Sequence, residues 1–138
     1  MAIAKYSLTT IDCPDPLSLA GFYAQLTGFQ VRPYNSNWCE LLREGVAVIG
    51  FQRIENFLAP TWPQGSVPQQ IHLHFDVADL DVAAAGVIAL GARAAEYQSS
   101  EEFRVYFDPI GHPFCLVLNS ELENFLDPLI SEVTASRI

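Results

Sequence analysis

Residues 71–77 read Ile-His-Leu-His-Phe-Asp-Val, which sets His72 and His74 one residue apart with Asp76 next in the same alternation. In an extended segment successive side chains point to opposite faces, so the two imidazoles and the carboxylate share one face and Ile71, Leu73, Phe75 and Val77 the other. Imidazoles so placed can ligate a divalent metal, act as general acid and base, or simply hydrogen-bond to each other and to a guest. Cys115, in the later run Pro-Phe-Cys-Leu-Val, would be a soft ligand as a thiolate or a small buried hydrophobe as a thiol. No Ser-His-Asp context, no phosphate-cradling glycine loop and no Cys-x-x-Cys pair occurs, so nucleophilic hydrolysis and nucleotide chemistry have no support.

The elements that must position these residues come in two similar sets. Asp15, Pro16 and Gly28 bracket a helix whose Leu19, Phe22, Tyr23 and Leu26 recur at helical spacing. Asp79 and Gly91 bracket a second, with Leu80, Ala83, Ala84, Val87, Ile88 and Leu90 as its buried stripe. A strand-like run precedes each helix, from Tyr6 in one case and from Ile71 in the other, and a hairpin follows. The hairpins turn at Glu44 and Gly45 and at Asp108 to Gly111. Asp15 matches Asp79, Gly28 matches Gly91 and Gly45 matches Gly111, at an offset of roughly 65 residues. The chain therefore reads as one domain of two copies, about 5–58 and about 70–119. A proline-rich linker of about 59–69 joins them, and residues 120–138 form a helical tail. In that tail Ser120 and Glu123 fit a capping box, Leu122, Phe125, Leu126, Leu129, Ile130 and Val133 share a face, and Pro128 kinks or restarts the helix.

Composition narrows the partners. A chain of 138 residues can bury roughly two thirds of the surface it exposes when unfolded, enough for a core without staples. Sixteen acidic against seven basic residues give a net charge of −9, which repels phosphate backbones and favours a cationic guest. Nucleic acid is not an expected partner, and no apolar run approaches a membrane span. Cys13, Cys39 and Cys115 are odd in number and widely spaced, and the start MAIAKYSLTTID has no leader pattern. The expectation is a soluble cytoplasmic protein with reduced thiols.

The doubled strand, helix and hairpin unit ending in DPIGHPFCLV, preceded by PTWPQGSVPQQIHLHFDVADLDVAAAGVIALGA, resembles the glyoxalase, bleomycin-resistance and extradiol-dioxygenase superfamily, also called vicinal oxygen chelate. The resemblance covers residues 5–119 and implies an α+β fold: two tandem βαβββ units forming an eight-stranded half-open barrel, helices on its outer face and ligands on its concave face. Homodimers are also implied, with the apolar tail as a further candidate for assembly. Metal-dependent members resemble one another in taking two histidines and two carboxylates, one from each of four concave strands.

Carried over residue by residue, that pattern meets Tyr6 or Leu8 on the first strand, Gln52 at the end of the first hairpin, His72, and Cys115 where a Glu is usual. Only His72 keeps its expected type. His74 stands where relatives tend to have an acid. The resemblance thus implies a degenerate metal site and no cofactor, with a divalent metal on His72, Cys115 and Gln52 as the alternative.

What remains is a mixed pocket. His72, His74, Gln52, Tyr6 and Asp76 supply polarity among Cys115, Val48 and Val117; Trp38, Trp62, Tyr97, Phe103 and Tyr106 lie in or beside the segments that frame this face in the family the chain resembles, most of them otherwise being core or subunit interface. Trp62 has the strongest claim among the aromatics, because a proline-rich linker offers it few core partners. The expected function is binding of a small organic molecule, aromatic or cationic, as in antibiotic sequestration. Lyase, isomerase or dioxygenase chemistry on His72 and assembly through the tail are the rivals, with His72 and His74 as the candidate catalytic residues.

Overall fold

A strand, β1 (Thr9–Cys13), leads into helix α1 (Pro16–Thr27) and then β2 (Gln30–Asn35), β3 (Trp38–Arg43) and β4 (Val46–Arg53). The same order recurs as β5 (Leu73–Val77), α2 (Leu80–Ala89), β6 (Arg93–Ala94), β7 (Phe103–Phe107) and β8 (Pro113–Leu118). This is a computed structural model, and it describes residues 1–122. The described residues pack as two compact units, 1–60 with 109–111, and 61–108 with 112–122.

Local chemistry explains both helices. The Asp15 carboxylate accepts from Ser18 N at 3.3 Å, and the Asp79 carboxylate from Asp81 N and Val82 N at 2.8 and 2.9 Å. Each thereby satisfies donors that the first turn leaves free. Gly28 ends α1 in the left-handed region at φ 76°, and Gly91 does so beyond α2 at φ 109°. The β3–β4 turn has positive φ at both Glu44 (50°) and Gly45 (81°), the pair of values that matches a hairpin's own twist.

Each unit builds one four-stranded sheet, ordered β1-β4-β3-β2 in the first and β5-β8-β7-β6 in the second. In both, the first strand runs parallel to the last and the other neighbours are antiparallel. The expected α+β architecture of repeated βαβββ units is what the chain adopts, with its eight strands divided between two sheets. Pro33, which cannot donate to a ladder, lies on the edge strand β2.

Each helix covers one face of its sheet. In the first unit Tyr23 of α1 stacks on Phe51 at 5.9 Å and meets Phe22 edge-on at 4.9 Å, over buried Leu19 and Leu41. In the second, Phe114 lies between Tyr106, stacked at 5.7 Å, and Phe75, edge-on at 5.9 Å, with Leu116 buried alongside. Of the two readings open for Tyr106, pocket frame or core, the structure shows core. Burial of such side chains contributes about 1.5–3 kcal/mol each.

Two expected boundaries move. The first strand begins at Thr9 rather than near Tyr6, and the fifth at Leu73 rather than Ile71, so His72 precedes its strand. The parallel ladder of β5 with β8 opens at Leu73 opposite Phe114, one residue past Pro113, which has no N–H to extend it. Of the expected tail, residues from 123 onward lie outside the described residues; at its start Asn119 Oδ1 accepts from Glu121 N at 3.1 Å. Among the described residues no helix is long and apolar enough to cross a bilayer, and Cys13, Cys39 and Cys115 are buried and joined in no disulfide.

Candidate functional site

The parallel register of β5 on β8 sets His74 directly opposite Cys115. Both point away from the face that carries Phe75, Phe114 and Leu116, because side chains alternate along each strand. Cys115 is only 4% exposed, in a cluster with Ala95, Val105 and Phe107, against which Trp62, Phe103 and Val117 pack. His72, just ahead of the strand, turns its ring beside that of His74: the centroids are 4.9 Å apart and the two Nε2 atoms 3.0 Å. One ring donates and the other accepts, so at most one Nε2 carries the shared proton. The ligand atoms of His72, His74 and Cys115 all lie within 4.8 Å of one another.

The electrostatics favour neutral groups. Burial first, and then repulsion by charge on His74, hold the His72 imidazole below its ordinary pKa. Burial pushes the Cys115 thiol up. A thiol so shifted is a poor nucleophile at neutral pH, so the trio offers hydrogen-bonding and ligating atoms rather than covalent catalysis. Asp76 shares this face, but its Oδ2 accepts from Asn119 Nδ2 at 3.0 Å.

An apolar wall adjoins the cluster. Trp62 meets Tyr97 at 5.9 Å with their planes tilted by 48°, and Tyr97 is exposed. Gln98 fixes the segment that bears this wall: its amide donates to Ala95 O and Val105 O and accepts from Val105 N, all at 2.9 Å. Nothing in the polar run around Gln98 marked it beforehand, since its partners are backbone groups, one of them on β7.

The remaining expected site residues lie in the first unit. Gln52 is exposed on β4, opposite both Asp12 and Trp38. Tyr6 is 73% exposed ahead of β1, its hydroxyl bonded to that of Thr9. Trp38 lies over Gly50, where any Cβ would fall 2.3 Å from the indole. The Trp38 Nε1 donates to Glu40 Oε2 at 3.1 Å, while Arg32 reaches Glu40 Oε1 at 2.7 Å. Arg32's hydrogen bond, with a smaller one from Trp38, holds the Glu40 carboxyl below its usual range despite some burial. Glu40 was not singled out in the sequence, although its alternation with Trp38 was a usable signal.

The structure thus brings together three of the expected residues as one donor set, with His74 joining His72 and Cys115, and seats Trp62 on the same cluster. Gln52, Tyr6 and Trp38 belong to the other unit. His112 sits in the β7–β8 turn, where its N–H donates to Asp108 Oδ1 at 3.0 Å. The first unit also has an open groove of about 600 Å³ lined by Pro14, Asp15, Pro33, Tyr34, Cys39 and Arg53, none of them an expected site residue.

Comparison with known proteins follows the architecture. The model of a family described as glyoxalase-like domain matches residues 9–117. Among solved structures, a glyoxalase/bleomycin resistance protein/dioxygenase family enzyme from Burkholderia phytofirmans PsJN aligns at TM-score 0.63 and 20% identity. That alignment covers 83% of this chain and 98% of the other. The genomically encoded fosfomycin resistance protein FosX of Listeria monocytogenes aligns at 0.63 and 16%, covering 88% and 98%. A glyoxalase family protein from Enterococcus faecalis gives 0.61 and 20%, covering 85% and 99%. At these identities the likeness shows the fold. No curated protein matches the chain.

Proposed function

The chain belongs to the glyoxalase-like domain family, and from that premise we propose that it binds a small organic molecule on the face of its second sheet that lies opposite α2. The observation that carries this reading is the meeting of His72, His74 and Cys115 beside the cluster on which Trp62 packs. A site with a few convergent polar atoms against an aromatic wall is the usual make-up of a small-molecule pocket. The imidazoles would orient the guest, and Trp62 with Tyr97 would cover its flat face. The net charge of −9 favours a cation over a phosphate or carboxylate, and Trp faces hold cations well. Sequestration of an aromatic cation of the antibiotic type is the form of binding that fits these features.

A thermal-shift screen against aromatic cations, bleomycin-type compounds included, tests this. Stabilisation by at least one class, lost in Trp62→Ala and in His74→Gln, is the expected result. No stabilisation by any class, together with metal-dependent turnover of a small substrate, would overturn it. That second reading, lyase, isomerase or dioxygenase chemistry on a divalent ion, is favoured by the same donor trio.

A further inference from the structure

Two imidazole nitrogens and one sulfur converge from β5, its preceding residue and β8. We propose that His72, His74 and Cys115 form a self-contained site for one thiophilic divalent ion of the zinc class, held wholly within the second unit. The proposal takes its location from the pocket just described and names what occupies its polar corner.

The distances suit such an ion. Metal–nitrogen bonds of about 2.0–2.1 Å and a metal–sulfur bond of about 2.3 Å, arranged tetrahedrally, separate ligand atoms by roughly 3.3–3.6 Å. The three ligand atoms lie within 4.8 Å of one another, so the widest pair must close by up to about 1.2 Å, a movement open to the two exposed imidazoles, while the Nε2 atoms, at 3.0 Å, part slightly as their hydrogen bond is replaced.

Donor type selects the class. Calcium and magnesium ask for oxygen ligands, whereas imidazole with thiolate suits zinc and its neighbours. No carboxylate belongs to the set, and Asp76 on the same face is engaged by Asn119. Cys115 lies among Ala95, Val105 and Phe107, where a lone thiolate is costly but a thiolate–metal pair is weakly screened, so the thiol ionises only together with ion binding. Binding replaces the S–H bond by a metal–sulfur bond and sends that proton to solvent.

The test is a cobalt titration of untagged, chelator-stripped protein. One equivalent of Co²⁺ is expected to give a sulfur-to-cobalt charge-transfer band that Zn²⁺ abolishes, that is absent in Cys115→Val and that is lost or weakened in the exposed-site variant His74→Gln. Absence of the band, or an undiminished band in both variants, overturns the proposal. If the band fails while an aromatic cation still stabilises chelator-treated protein, the metal site falls and the pocket stands. If the band appears while no organic compound stabilises the protein, the metal site is supported and the pocket reading falls.

Discussion

Replacing Cys115 by valine and by serine separates its packing from its ligating role. The side chain is 4% exposed among Ala95, Val105 and Phe107, with Trp62, Phe103 and Val117 against the cluster. Valine keeps an apolar group of similar size there, so its cost stays below about 1.5 kcal/mol. Serine brings a hydroxyl into the same surroundings, and burying one without a good partner costs about 1–3 kcal/mol. Since about 1 kcal/mol moves Tm by roughly 2–8 °C in domains on either side of this size, Cys115→Ser should melt several degrees lower in chelator and Cys115→Val close to the parent. Adding zinc at about a hundred times its dissociation constant would stabilise the parent by about 2.7 kcal/mol, with no gain in either variant. Calorimetry with and without zinc reads both effects. A serine variant as stable as the parent in chelator refutes the packing argument, and a valine variant that keeps the zinc-dependent rise refutes the ligation argument.

Other perturbations test the frame around the site. Phe114→Ala removes the ring between Tyr106 and Phe75 and should cost about 3–5 kcal/mol in urea unfolding; a loss below about 1 kcal/mol would contradict the assigned core. Gly50→Ala sets a methyl 2.3 Å from the Trp38 ring, so the indole must swing off Glu40 at about 1–3 kcal/mol, with a shift in Trp38 fluorescence. An unchanged emission spectrum would show that the contact is not made. Arg32→Ala should raise the Glu40 pKa toward its ordinary value, read by carboxyl NMR titration. Because the folded-state pKa is depressed, the pair's stabilisation is present above the unfolded carboxyl's pKa and fades as pH falls through the folded value. The stability gap between parent and variant should therefore close in acid, and a gap that widens there would reverse the assignment.

How much of this was legible in sequence follows the range of each interaction. The caps at Asp15 and Asp79 and the Glu44-Gly45 turn are decided within three or four residues, and the sequence showed them. The repeat displayed the doubled βαβββ order because each copy carries the same punctuation. Non-local pairing was harder to read. His72 lies ahead of its strand because the ladder opens only past Pro113, some forty residues away in the chain. Its ring still meets that of His74, and the register of His74 on Cys115 makes a trio of the histidine and thiol pair. For Tyr106 the sequence left pocket and core both open, and pairing with Phe114 fixed its face as core. Glu40 escaped notice because its ion-pair partner Arg32 meets it only across the β2–β3 ladder, and Gln98 because it bridges its neighbour Ala95 to the backbone of Val105, which only folding brings close.

X-ray absorption at the zinc edge, on untagged protein holding one equivalent of the metal, addresses the histidine and thiol site most directly. A shell of nitrogen scatterers at about 2.0–2.1 Å with imidazole outer-shell features, together with one sulfur at about 2.3 Å, is the predicted result. A first shell of oxygen and nitrogen alone, with no sulfur, would contradict it.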